Sequence, residues 1–187
     1  SPSGFSSMNL QWFLSAFGLS LCLARYQKNT FRIMMKRSEL YDQLDVSMPG
    51  LISDADWVAN QANFAAALFG SFGWHWVGFY RVEGEELVLG PFQGPVACTR
   101  LHRSKGVCSA AWRAKKTVVV EDVEAFVGHI ACSAASRSEI VLPLCDGEGV
   151  VRAVLDIDSA ELDDFSAEDQ GRLEALLASV CNALLPK

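Results

Sequence analysis

The chain lacks several features that would place it in a specialised class of protein. It has no internal repeat and no low-complexity segment, and none of its six cysteines belongs to a Cys-x-x-Cys pair. Six cysteines in 187 residues are too few for a secreted module held together by disulfides. The apolar run at residues 10–24 is shorter than the ~20 residues needed to span a bilayer. We therefore expect a cytoplasmic protein with free thiols, whose folded part does not enter a membrane.

Acidic side chains are absent from the first 38 residues. The basic residues there follow the apolar run, whereas a secretory signal carries its positive charge before it. Basic, serine-containing and acid-free character is typical of an organellar transit peptide. The alternative is an unstructured leader translated upstream of a start at Met34 or Met35. We predict an N-terminal extension over residues 1–37 and one folded domain over 38–187.

The folded part is acidic, because all 22 aspartates and glutamates follow residue 38 and the chain has a net charge of −6. Proteins that bind nucleic acid need a basic surface facing the phosphates, so this composition excludes that class of partner. Half of the residues are hydrophobic, which is enough for one well-packed core.

Hydrophobic periodicity predicts a helix, about six strands and a final helix. Ser53 is the predicted cap of the first helix, which ends at Gly70–Gly73, and Ser166 is the predicted cap of the last. Residues 38–50 are predicted to be a short segment closed by a turn at Pro49-Gly50. The predicted strands are 74–82, 86–89, 96–101, 117–120, 139–145 and 149–157, with a short helix at 107–114 and a long loop before 139. Hairpin signals between neighbouring strands indicate an antiparallel sheet with helices packed on a face, an α+β fold.

Three carboxylates are candidates for a binding or catalytic role. Asp156 and Asp158 lie two residues apart in an apolar strand, so their side chains share one face. Glu139 begins another apolar strand. If the three converge, they suit an ammonium ligand, or one of them could donate a proton. The alternative is a strand end at which the aspartates meet water.

The thiols of Cys98, Cys108 and Cys132 lie in loops or cap positions. Cys108 is in the first turn of a predicted helix just after basic residues, and Cys132 lies between a histidine and an arginine. Both settings favour a reactive thiolate, although cysteine is more often inert packing. We assign packing to the cysteines in apolar runs, Cys22, Cys145 and Cys181.

A zinc site is the rival interpretation of these thiols. Zinc ligands in proteins usually lie two to four residues apart, and this spacing occurs here only in fragments. We therefore predict no metal, although the chain offers enough potential ligands in Cys98, His102, Cys108, His129 and Cys132.

Trp76, Gly78 and Tyr80 share one face of the first strand. The glycine would leave a gap between two aromatic rings, which can hold a cation or a small apolar group. Core packing is the alternative.

Eight short phrases follow one another in a characteristic order: Trp-Val-Gly-Phe-Tyr (76–80), Leu-Gly-Pro-Phe-Gln-Gly (89–94), Ala-Cys (97–98), Gly-Val-Cys (106–108), Glu-Asp-Val (121–123), Gly-His-Ile-Ala-Cys (128–132), Ser-Glu-Ile-Val-Leu-Pro-Leu (138–144) and Val-Leu-Asp-Ile-Asp-Ser (154–159). Together they resemble the free methionine-R-sulfoxide reductases, small enzymes built on a GAF domain. A generic GAF domain would share the fold but not the three cysteines.

The resemblance implies thiol-dependent reduction of the R epimer of free methionine sulfoxide, with thioredoxin as the reductant and no cofactor. It identifies Cys132 as the attacking thiolate that becomes a sulfenic acid, Cys98 as the resolving partner and Cys108 as a third exchanging thiol. Whether Cys132 or Cys108 attacks first stays open.

The resemblance also assigns the substrate contacts. Glu139, Asp156 and Asp158 match the family's substrate-binding acids, and Trp76 and Tyr80 match its aromatic wall. The basic stretch 103–105 departs from the family's pattern. The oligomeric state stays open, a homodimer included, and the alternative function is a GAF module that senses a ligand or the redox state without catalysis.

Overall fold

A computed structural model describes residues 35–128 and 135–186. Most of the predicted N-terminal extension, together with Cys22, His129 and Cys132, lies outside these residues. The chain divides into two units, Ser1–Glu39 and Leu40–Lys187, and the second contains the sheet and the candidate site. Within the described ranges, no helix is both long enough and apolar enough to cross a membrane.

A six-stranded antiparallel sheet forms the centre of the second unit. Its strands are β1 (Trp76–Glu83), β2 (Glu86–Gln93), β3 (Arg100–His102), β4 (Val118–Val120), β5 (Ser138–Cys145) and β6 (Val151–Ser159). They lie in the order β3-β2-β1-β6-β5-β4, with every neighbouring pair antiparallel. The predicted α+β class and antiparallel sheet are therefore confirmed.

The described residues form four α-helices beside the sheet, α1 (Arg37–Leu51), α2 (Trp57–Phe72), α3 (Val107–Ala114) and α4 (Ala167–Leu184), with a 3-10 turn at Val123–Ala125. The predicted cap of α4 is confirmed, because the Ser166 hydroxyl accepts a hydrogen bond from the Asp169 amide while the Asp169 carboxylate accepts one from the Ser166 amide. The helix buries one apolar stripe, formed by Leu173, Leu176, Leu177, Val180 and Leu184.

Two predictions about the first helices are wrong. Residues 38–50 form most of α1, in which Tyr41, Leu44 and Met48 are buried at spacings of three and four residues. Pro49 lies in the last turn, where its missing N–H removes one helical hydrogen bond and only two helical residues follow it. The cap of α2 is Asp56 rather than Ser53, since its carboxylate accepts hydrogen bonds from the amides of Val58 and Ala59.

Strand limits differ from the prediction mainly in β2 and β3. β2 continues through Gly90 and Pro91 to Gln93, and a register irregularity opposite Gly78–Tyr80 accommodates this stretch. β3 is only three residues long. The link between them is consequently the short segment 94–99.

Alternation along the strands divides the sheet into two chemically different faces. On the helix face, apolar side chains such as Val77, Phe79, Leu155 and Ile157 pack with residues of α2 and α4. Side chains of the intervening strand residues point to the opposite face of the sheet, which we call the site face. Helix α3 covers this face. Trp74, which the predicted strand 74–82 includes, precedes β1 and packs in the helix-face core, stacked on Phe72 with ring centroids 4.2 Å apart.

Candidate active site

The strand register brings the three predicted carboxylates together on the site face. Asp158 of β6 lies directly opposite Glu139 of β5 on one side and Trp76 of β1 on the other. Asp156 is two residues along β6 on the same face, opposite Gly78. Side chains directly opposite in antiparallel strands have Cβ atoms roughly 5 Å apart, so the acids form one cluster.

Helix α3 adds a thiol to this cluster. Cys108, in the first turn of α3, places Sγ 3.9 Å from Oε1 of Glu139. Donor atoms of Cys108, Glu139 and Asp156 all lie within 4.8 Å of one another, and all three residues are buried. Among the described residues, these three are the group that could hold a metal ion. Of the zinc ligands considered in the sequence analysis, this group contains only Cys108. His102 is exposed, with Nδ1 3.0 Å from the Ser104 hydroxyl.

Burial and mutual repulsion oppose ionisation of the acids. The pKa of Glu139 is well above its ordinary value because the carboxyl is buried and because Asp156 and Asp158 lie nearby. Burial, followed by the charge of Asp156, likewise raises the pKa of Asp158, and a hydrogen bond from Ser136 only partly opposes this. Burial raises the pKa of Asp156 to about 6, although hydrogen bonds with Cys108 and Glu139 favour its ionised form. Glu139 and Asp158 therefore hold their protons to higher pH than exposed carboxyls do, and Asp156, whose pKa is shifted less, ionises first.

The expectation that Cys108 is readily ionised is wrong for this arrangement. Burial raises the pKa of its thiol well above the usual range, and the charges of Asp156 and Glu139 raise it further. The basic residues before it do not offset this effect. Arg103 pairs with Glu85 at 3.2 Å and lies over the ring of Trp112, 4.7 Å from its centroid. Cys108 is therefore a protonated thiol beside carboxyls whose own pKa values are raised.

The aromatic pair is present, but the gap predicted between its rings is filled. The ring of Trp76 lies over Gly78, where an added Cβ would come within 2.4 Å of it. Trp76 stacks on Phe92 with centroids 5.3 Å apart and on Tyr80 with centroids 5.9 Å apart. Any ligand would therefore lie against the outer side of an aromatic wall rather than between two rings.

Both aromatic side chains also hold the segment that carries Cys98. The Trp76 indole N–H donates to the carbonyl of Pro95 over 3.1 Å. The Tyr80 hydroxyl donates to the carbonyl of Cys98 over 2.9 Å. Gly94 has a φ of 128°, and a Cβ there would come within 2.7 Å of Trp76. Beyond the Gly94-Pro95 pair, no sequence pattern indicates these bonds, because they join residues on opposite sides of a hairpin.

The segment that contains Cys132 begins and ends at the site. The Gly106 amide, at the start of α3, donates to the Gly128 carbonyl over 3.0 Å. After the segment, Ser136 is hydrogen-bonded to Asp158, and the Arg137 amide donates to the Ser159 carbonyl over 2.8 Å. Cys132 itself lies outside the described residues, whereas Cys98 is half-buried in its loop.

Similarity to known proteins identifies the family to which this chain belongs. The family model for the GAF domain matches residues 62–184, and the chain therefore belongs to the GAF-domain family. A free methionine-R-sulfoxide reductase of Escherichia coli is 41% identical over 148 residues, which cover 78% of this chain and 89% of that protein.

Two solved structures extend the comparison. One is a free methionine-R-sulfoxide reductase from Neisseria meningitidis in complex with its substrate, with 46% identity, a TM-score of 0.77 and coverage of 80% of this chain and 91% of the other. The second, described as a putative GAF sensor protein from Burkholderia vietnamiensis, has 44% identity and a TM-score of 0.74. The match covers 81% of this chain and 94% of the other. Within the GAF-domain family, the chain belongs with the free methionine-R-sulfoxide reductases, as the resemblance predicted.

Proposed function

We propose that this protein reduces free methionine-(R)-S-oxide to methionine, using its own cysteines as reductant and thioredoxin to regenerate them. The observation that carries the proposal is the cluster of buried Glu139 and Asp156 with half-buried Asp158, beside an aromatic wall and a thiol. Similarity to reductases of this name, one of them with its substrate bound, supports the same substrate. The reaction requires a compartment in which thioredoxin keeps thiols reduced.

Recognition of the free amino acid follows from the charge of the cluster. Carboxylates withdrawn from water are costly without a cation to compensate them. The ammonium group of a free amino acid supplies that cation, whereas a methionine within a peptide has an uncharged amide in its place. The cluster therefore selects the free amino acid over a protein-bound residue.

Glu139 is the acid that we assign to protonating the sulfoxide oxygen. That oxygen is a poor leaving group unless its developing negative charge is neutralised. Burial and the neighbouring acids raise the pKa of Glu139 and so favour its protonated form, whereas Asp156, which ionises first, is free to pair with the ammonium. Two carboxylates in one cluster thus take different roles because their pKa values are driven apart.

Cys132 is the nucleophile in this proposal. The competing Cys108 thiol is buried among carboxylates that oppose its ionisation, which makes it the poorer nucleophile. Cys132 is four residues from Gly128 and four from Ser136, each at the site, and four residues reach at most about 14 Å. Its thiolate attacks the sulfoxide sulfur, takes up the oxygen with one proton and becomes a sulfenic acid, while the sulfoxide gains two electrons and leaves as methionine.

Cys98 completes the cycle. Its thiol condenses with the sulfenic acid of Cys132 to form a disulfide and one water molecule. Reduced thioredoxin then exchanges with this disulfide, restoring both thiols and becoming oxidised itself. Cys108 is a third thiol able to join in the exchange.

The proposal is tested by methionine release from the R and S epimers with thioredoxin and its reductase. We expect turnover of the R epimer alone. Cys132→Ser should release none, whereas Cys98→Ser should release one methionine per enzyme and then stop. Loss of the first turnover in Cys108→Ser, with Cys132→Ser still active, would reverse the assignment of the nucleophile.

A sensing module is the second candidate, favoured by the similarity to the protein described as a putative GAF sensor. A sensor would bind methionine sulfoxide at the same carboxylates without consuming it. Calorimetric binding together with no methionine release from fully reduced protein would establish this alternative and refute the enzymatic one.

A further inference from the structure

The segment 94–99 carries Cys98 and lies between strands β2 and β3, and its last residue is bonded to the sheet, because the Thr99 carbonyl accepts a hydrogen bond from the Leu89 amide over 3.0 Å. Side chains from β1 supply bonds that fix it: the indole of Trp76 to Pro95 and the hydroxyl of Tyr80 to Cys98. The two donors are 2% and 1% exposed, whereas Pro95 is exposed and Cys98 is half-buried, so the bond from Tyr80 to Cys98 is the better shielded from water. The backbone of Cys98 is therefore held directly by the aromatic wall.

The packing around these donors leaves them little freedom. Trp76 is stacked between Phe92 and Tyr80, and the two glycines that contact its ring allow no larger residue without displacement. A donor that is already held by tight packing loses little conformational freedom in forming its hydrogen bond. It therefore holds the acceptor in one position more firmly than a mobile donor does.

We propose that Tyr80, assisted by Trp76, is a positioning residue for Cys98, and that the Tyr80 hydroxyl sets the rate at which Cys98 condenses with the oxidised nucleophile. This inference deepens the proposed function and depends on it. It separates two roles of one side chain: the ring contributes to the substrate wall, and the hydroxyl holds the resolving thiol.

The stereochemistry of a disulfide gives this positioning a kinetic consequence. The two sulfurs must come within roughly 2.05 Å with Cβ atoms about 3.8 Å apart, which few backbone positions permit. A misplacement of about 1 Å in reacting groups can cost on the order of 100-fold in rate. Freeing the Cys98 carbonyl should therefore slow disulfide formation without a comparable effect on the earlier attack.

The test is Tyr80→Phe, which keeps the ring and removes only the hydroxyl. Reduced protein is mixed with one equivalent of the R epimer and quenched at intervals. Released methionine reports the first step, and loss of free thiols reports the disulfide step. We expect disulfide formation to slow by about tenfold or more relative to methionine release. The sulfenic acid should then accumulate and be captured by a carbon nucleophile such as dimedone.

Tyr41→Phe is the matched control. Its hydroxyl is equally buried and donates to the Asp169 carboxylate over 2.8 Å, but it lies among residues of the helix-face core. The Tyr41→Phe substitution removes a similar bond without affecting Cys98, so the rates of methionine release and of disulfide formation should both stay at the wild-type values. Unchanged disulfide formation in Tyr80→Phe, or equal slowing in Tyr41→Phe, would overturn the inference while leaving the proposed reaction intact. A wild-type protein that released no methionine would instead refute the proposed function, and this inference with it.

Discussion

Strand β6 carries apolar side chains on one face and acidic side chains on the other. Leu155 and Ile157 point into the helix-face core and are completely buried. Asp156, between them, points to the site face and is nearly as buried, at 7% exposed. The same backbone thus places hydrocarbon on one side and ionisable groups on the other.

The two faces contribute oppositely to stability. Each leucine-sized side chain withdrawn from water on the helix face stabilises the fold by about 1.5–3 kcal/mol. On the site face, Asp156 Oδ1 is buried without a hydrogen-bond partner among the described residues, an arrangement that costs free energy. A cluster that folding alone disfavours indicates that the site face is arranged for binding and chemistry. Substitutions on one face at a time can test these different contributions to stability and chemistry.

Glu139→Gln should have the largest effect. Glutamine keeps the size and polarity of the side chain but cannot donate an acid proton, so kcat should fall by about 100- to 10,000-fold. Steady-state reduction of the R epimer measures this loss. Glu124→Gln, at an exposed glutamate of the 3-10 turn, should leave kcat unchanged. A kcat for Glu139→Gln close to the wild-type value would remove Glu139 from the acid role.

Leu155→Ala tests the helix face. Truncating a fully buried leucine leaves a cavity, and we expect the free energy of unfolding in urea to fall by about 2–5 kcal/mol. Leu162→Ala, at a side chain that is 46% exposed, should change it far less. Equal losses in the two variants would mean that the helix face does not dominate stability.

Asp156→Asn, at the neighbouring position, should stabilise the protein. Because the pKa of Asp156 is raised in the folded state to about 6, the native protein binds more protons than the unfolded chain between the ordinary carboxyl range and that value. Stability is therefore lost as pH rises through this window. The variant should gain about 1–3 kcal/mol at pH 7.5 and nothing below about pH 4. Urea unfolding at both pH values measures this, and destabilisation at pH 7.5 would contradict it.

Much of this contrast could be predicted from the sequence, because it depends on strand periodicity. The alternation of β6 places Asp156 and Asp158 on one face, as predicted, with Leu155 and Ile157 buried on the other. Helix α1 was missed because Pro49-Gly50 is a common turn signal, and only packing shows that the helix includes it.

The electrostatic setting of Cys108 could not be predicted from its neighbours in sequence. Its effective neighbours are carboxylates more than thirty residues away, brought close by strand pairing. The nearby Arg103 is engaged by Glu85 and Trp112 instead. Likewise, the bond from Tyr80 to the Cys98 backbone depends on the path of a loop, which periodicity does not determine.

The central claim is that the buried carboxylates recognise the ammonium group of a free amino acid. Calorimetric titration of Cys132→Ser with methionine-(R)-S-oxide and with its N-acetyl derivative tests it most directly, because the two ligands share the sulfoxide and differ at the amino group. We predict that acetylation weakens binding by about 100-fold or more, since it leaves a buried carboxylate without its cation. Equal affinities for the two ligands would contradict the claim.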